Sequence, residues 1–97
     1  MFFEWDDEKE KINIKKHKLS FSTAALVFND KNRIWWYDDL HSDDEDRYIT
    51  IGMISQKPNI IMVVYTERNG DKIRIISARA AQKNEKEAYY RGEDTLY

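Results

Sequence analysis

IIMVVYTERNGDKIRIISAR, residues 60–79, decides the fold. Two runs rich in β-branched residues, Ile60–Glu67 and Lys72–Arg79, flank Asn69-Gly70, a pair suited to the positive φ angles of a tight hairpin turn. A two-residue loop there sets Arg68 against Asp71, Glu67 against Lys72, Tyr65 against Arg74 and Ile60 against Arg79.

Outward from this hairpin, RYITIGMI (47–54) and RIWWY (33–37) read as two further strands, separated by the acidic loop DDLHSDDED and by SQKPN. Towards the N-terminus the period becomes helical. Asp6 is a candidate N-cap for a helix over residues 7–17, with acids in its first turn and lysines in its last. Ser22 is a candidate cap for a short second helix to Phe28, stapled by Phe21 and Leu26. From Gln82 the good helix formers QKNEKEAYY run towards Gly92, and residues 92–97 read as a frayed tail. The expected fold is α+β: a four-stranded antiparallel sheet with two N-terminal helices and a C-terminal helix on one side.

All 97 residues fit one domain, since 41% hydrophobic and 35% charged residues with three Gly and one Pro describe a folding chain. Without Cys there is no disulfide framework or thiol nucleophile, and His17 and His41 make a weak metal signal, so no metal and no cofactor are expected. No apolar run approaches a membrane span and the N-terminus is acidic, which points to a cytoplasmic protein. No Gly-rich phosphate loop, GxSxG or HExxH occurs.

Net charge is −2, but its placement is uneven. Residues 57–91 hold eight bases against four acids, while acids concentrate at 6–10 and 43–46. On the expected register, Arg47, Tyr65, Glu67, Lys72 and Arg74 share one face at the hairpin tip, beside Arg68. Arg79 falls on the other face, roughly 20 Å along the strand from Lys72, at a base cluster with Lys57 and Tyr89. Metal-free RNA cleavage needs a base for the 2′-OH proton and cations for the charge on phosphorus, which Glu67, Arg68 and Arg74 offer. The competing reading is an ordinary cross-strand ion pair. His17 is either an acid–base group or a helix C-terminal cation. Trp35, Trp36 and Tyr37 read as core aromatics, with stacking on nucleic-acid bases as the alternative.

The run F-E-W-D-x-x-K-x-x-x-N-x-x-K-H (Phe3, Glu4, Trp5, Asp6, Lys9, Asn13, Lys16, His17) resembles the opening of the BrnT toxin family. So do Phe21, Ala24 and Phe28, R-x-x-x-x-G at Arg47 and Gly52, Y-T-E-R at 65–68, and R-I-I-S-A-R-x-A-x-x-x-E from Arg74 to Glu85. That resemblance implies a RelE-like fold and a ribonuclease toxin of a type II toxin–antitoxin pair, acting on RNA to stop translation and growth. It also implies neutralisation by a BrnA-type antitoxin that carries the DNA-binding region; because DNA-binding antitoxins usually dimerise, a complex of two toxins and two antitoxins is expected. RelE-like relatives favour Arg79 for the active cluster, whereas the carboxylate argument favours Glu67, Arg68 and Arg74. Arg47, Lys57 and His17 are the candidate RNA-binding residues. The alternative is a non-catalytic binding module, or a corepressor acting through a DNA-binding partner.

Overall fold

The computed structural model describes residues 1–92; all of the expected frayed tail except Gly92 lies outside the described residues. The four expected strands form, as β2 (Ile34–Tyr37), β3 (Tyr48–Met53), β4 (Ile60–Arg68) and β5 (Lys72–Ala80). A further strand, β1 (Phe2–Trp5), pairs parallel with β5, so the sheet is five-stranded and mixed, in the order β1-β5-β4-β3-β2. The expected four-stranded antiparallel sheet lacked this strand because the acids that follow it mask a four-residue extended run. Its alternation is nonetheless real: Phe3 and Trp5 pack against the core, while Phe2 is exposed and Glu4 half-exposed.

The β4–β5 hairpin differs from expectation in two ways. Arg68 pairs with Lys72 across a three-residue loop in which Gly70 alone takes positive φ, so Glu67 opposes Ile73 and Thr66 opposes Arg74. Further along, Tyr65 pairs with Ile75 but Val64 with Ser77, leaving Ile76 as the extra residue of a β-bulge. Beyond the bulge Arg79 opposes Met62. The β3–β4 register, with Tyr48 against Tyr65, sets Arg47 across from Thr66 rather than beside Glu67.

Helices cover both faces of the sheet, not one. Helix α1 (Asp7–His17) begins at the expected cap, where Asp6 Oδ1 accepts from the amides of Glu8 and Lys9. It ends at Lys18 in the left-handed conformation, φ 58°. The second helix, α2 (Phe21–Ala24), is capped by Ser20 rather than Ser22, and continues as a 3-10 turn to Asn29. Phe21, Ala24 and Val27 from this segment bury one face of the sheet against Ile61, Val63 and Ile75. On the other face α3 (Lys83–Arg91) lays Ala88 and Tyr89 over Ile34, Ile51 and Met62.

Polar ties fix these helices where apolar stripes do not. Asn13 is the one buried residue of α1. Its Nδ2 donates to the carbonyls of Leu19 (2.8 Å) and Ala78 (2.9 Å), and its Oδ1 accepts from the Ala78 amide (3.1 Å). The side chain therefore pairs with the edge of β5 as a strand would, just past the end of β1. Asp30 joins α3 to β3, accepting from Tyr89 Oη (2.6 Å) and the Met53 amide (2.7 Å). Burial opposes its charge, but these bonds prevail and hold its carboxyl below the ordinary value, while burial and Asp30 together push the Tyr89 phenol up to about 12. Gly52 permits the close approach: a Cβ there would sit 2.7 Å from Val27 Cγ2 and 3.0 Å from Arg33 Cβ.

Arg79 clamps α3 to β5 through a two-pronged pair with Glu85, at 2.8 and 2.9 Å, and Glu85 also accepts from the Gln82 amide. Burial works against ionising Glu85, yet Arg79 and the Gln82 amide outweigh it and hold its carboxyl below the ordinary range.

Three outcomes follow. Asn13→Ala leaves the Ala78 amide and two carbonyls short of partners and should lower unfolding free energy by about 2–4 kcal/mol in urea titration. Lys18→Gly should raise it by ~1 kcal/mol by relieving the left-handed backbone. Glu85 and Asp30 have depressed carboxyl pKa values, so their contribution is complete above the ordinary values of 4.5 and 3.8 and disappears as pH falls through the lower, folded-state ones. Glu85→Gln should accordingly lower the melting temperature at neutral pH and shrink its fall in acid.

Candidate nucleic-acid interface

Since α3 covers only one end of its face, the rest of that face is open. Trp36, Ile49, Val64, Arg74, Ile76 and Ser77 are all half-buried there or at its β5 edge. The bulge at Ile76 determines what this surface carries. Strand alternation puts Lys72 and Arg74 on it before the bulge, and Ser77 and Arg79 on it afterwards. Without the extra residue, Arg79 would have pointed the other way, as the sequence suggested.

Arg74 is not paired with Glu67. Its Nη1 donates to Glu4 Oε2 at 2.9 Å, from the neighbouring β1, and both side chains remain about one-third exposed. Glu67 shares parity with Tyr65 and lies on the opposite face. The carboxylate beside the arginine was therefore in the N-terminal motif, on the strand the sequence reading missed. Asp6 is close enough to feel Arg74: its carboxyl is held below the ordinary value by the Lys9 amide first, with the Arg74 charge adding to the effect.

Past β1, the rim of the face is α1. Lys9, Lys16 and His17 surround a shallow cleft of about 190 Å³ with Asn13, Ile76 and Ser77. These residues are spaced so as to share one side of a helix, and Asn13 at their centre docks that side on β5. Positive charge from α1 and β5 thus converges on one edge, with exposed Phe2 opposite Lys72. A phosphodiester strand with flanking bases fits such a surface: cations for phosphate, an aromatic ring for stacking, a carboxylate and an imidazole for proton transfer.

The remaining candidates are placed elsewhere or already engaged. Arg68 pairs with Glu45 at 3.2 Å. Arg47 lines a cleft with His41, Asp43, Asp44 and Glu45. Arg79 is committed to Glu85. Lys57 lies by α3, with Lys86 and Tyr90 around a pocket of about 400 Å³. The expected tip cluster of Glu67, Arg68 and Arg74 is split across the two faces. Two of the expected core aromatics, Trp35 and Tyr37, are 51% and 41% exposed.

Sequence reading also missed Arg33. It lies over the Phe28 ring at 4.9 Å and donates to Thr50 Oγ1 at 3.1 Å, on the face opposite Arg74. Among the described residues, no helix is long and apolar enough to cross a membrane.

No curated protein sequence matches the chain. Among solved structures, the crystal structure of the Brucella abortus ribonuclease toxin, BrnT, aligns with a TM-score of 0.61 at 24% identity, covering 86% of this chain and all of that one, which establishes a shared fold. The family model described as the ribonuclease toxin, BrnT, of type II toxin–antitoxin systems matches residues 5–85, a span that holds most of the basic face. With the greater part of its length matched, this chain belongs to the BrnT family of ribonuclease toxins.

Proposed function

We propose that the open basic face cleaves RNA without a metal ion, by attack of the 2′-OH on the adjacent phosphorus. Glu4 takes the 2′-OH proton as the O2′–P bond forms. Arg74, with Lys9 and Lys16 at the rim, carries the negative charge that builds on the phosphoryl oxygens. His17 returns a proton to O5′ as the P–O5′ bond breaks. The products are a 2′,3′-cyclic phosphate and a free 5′-OH. The observation that carries this reading is the Glu4–Arg74 pair, which joins a carboxylate to a guanidinium on the face whose α1 rim carries Lys9, Lys16 and His17 around a separate cleft beside Ile76 and Ser77. Imidazole suits the acid role because one ring nitrogen carries a proton it can give up while the other accepts one. Arg79 acts as a positioning residue through Glu85, and Arg47, Arg68 and Lys57 lie outside the reacting set.

In the cell this activity stops translation and growth in the cytoplasm. A BrnA-type antitoxin neutralises it by covering the basic face with acidic and apolar side chains, leaving its own DNA-binding region free, in an assembly of two toxins and two antitoxins. DNA is bound only through that partner. A non-catalytic module or corepressor would make the same complex without cutting RNA.

Cleavage of purified RNA in EDTA separates these readings. The wild type should cut, and Glu4→Gln, Arg74→Ala and His17→Ala should each reduce cleavage at least ~10-fold, below the ~10²-fold typical of a full acid–base contribution. Glu67→Gln should stay within about twofold, as expected of a carboxylate removed from the reacting groups. Loss of cleavage in Glu67→Gln with full activity in folded Glu4→Gln would overturn the assignment and return it to the hairpin tip. Induced expression should arrest growth, and co-expression of the antitoxin should relieve the arrest.

A further inference from the structure

The face opposite Arg74 carries a second surface of different chemistry. From the core outward, rings follow one another at 5.0 Å from Phe28 to Tyr65 and 5.6 Å from Tyr65 to Tyr48. Trp35 and Tyr37 of the edge strand β2 then stand edge-on to Tyr48, at 6.2 and 5.7 Å. At the inner end this row already holds a cation, Arg33 over Phe28. The outer end is open to solvent and flanked by two carboxylates: Asp46 accepts from Tyr37 Oη at 2.9 Å, and Asp46 and Glu67 both act electrostatically on Tyr48. The acidic loop 38–46 adjoins it, and β2 has no strand partner on its outer side among the described residues.

We infer that the Trp35–Tyr37–Tyr48 surface binds an extended, arginine- or lysine-bearing segment of a partner protein. The aromatic faces attract a guanidinium or ammonium group as Phe28 attracts Arg33, and the carboxylates of Asp46 and Glu67 complement its charge. The outer edge of β2 accommodates backbone in the extended conformation that presents alternate side chains to one face. A polyanion such as RNA is disfavoured here by the same carboxylates. This site does not depend on the catalytic reading, because it uses none of the residues assigned to RNA.

The test uses the whole chain and a fluorescently labelled peptide of alternating arginine and valine, followed by anisotropy at low and high salt, with the glutamate counterpart as control. The wild type should bind the arginine peptide and not the glutamate one. A double substitution Trp35→Ala, Tyr37→Ala should weaken binding by about tenfold, the scale of one well-desolvated cation–π contact. Trp35→Phe, which keeps a ring and guards against misfolding of the alanine variant, should bind within about threefold of wild type. Neutralising Asp43 and Asp44 together should cost less than about threefold, since those exposed charges only steer. RNA cleavage by the double alanine variant should be unchanged. Failure of the wild type to bind the arginine peptide, equal binding by the double alanine variant, or a greater loss on neutralising the loop would each overturn the inference. So would loss of RNA cleavage in the folded double alanine variant, which would give the aromatic rings to RNA instead.

Discussion

Everything β5 presents follows from Ile76 having no partner on β4. A strand alternates its side chains strictly, so one unpaired residue reverses the assignment of all that come after it. Ile73 and Ile75 enter the core before the bulge and Ala78 after it, while Arg74, Ser77 and Arg79 share the other side. The bulge thus lets the same strand supply a continuous apolar surface to α2 and a row of polar and basic groups to the opposite face. It also puts Arg79 within reach of Glu85 at the start of α3, so the last helix is anchored to the strand that precedes it.

The exposed edge of β5 is managed in two pieces. β1 covers Lys72–Ile75 with a parallel strand, and the Asn13 amide takes over at Ala78. An uncovered edge would invite pairing with another chain. Here a helix with no buried apolar residue is held at the sheet by one side chain, and that attachment carries Lys9, Lys16 and His17 to the rim of the basic face. Fold and candidate site use the same residues of the N-terminal motif: Glu4 in a strand, Asp6 as a cap, Asn13 as an edge closure.

Much of this architecture was legible in the sequence because it is local. Helix caps at Asp6 and Gly92, the four longer β-rich runs and the Asn69-Gly70 turn region all act over a few residues. What depends on long-range pairing was not. A hairpin register shifts by one with a single extra loop residue, and a bulge leaves no signature in hydrophobic alternation when Ile75 and Ile76 are both apolar. These two shifts moved Glu67 away from Arg74 and brought Arg79 onto the face of Arg74. Glu4 was visible only as part of a family-like motif; its neighbour in space is 70 residues away in the chain.

Lys72 and Arg74 lie on one side of the sheet and Glu67, Asp46 and the rings of Tyr48 and Trp35 on the other, so strand register sorts part of this chain's charge by side. For a molecule of net charge −2, any transverse separation of charge turns it in the field of a charged partner rather than merely pulling it closer. Net charge reports the monopole alone. Within about one Debye length, ~8 Å at physiological salt, such turning depends on which side of the sheet each charge occupies, and that is a property of strand register.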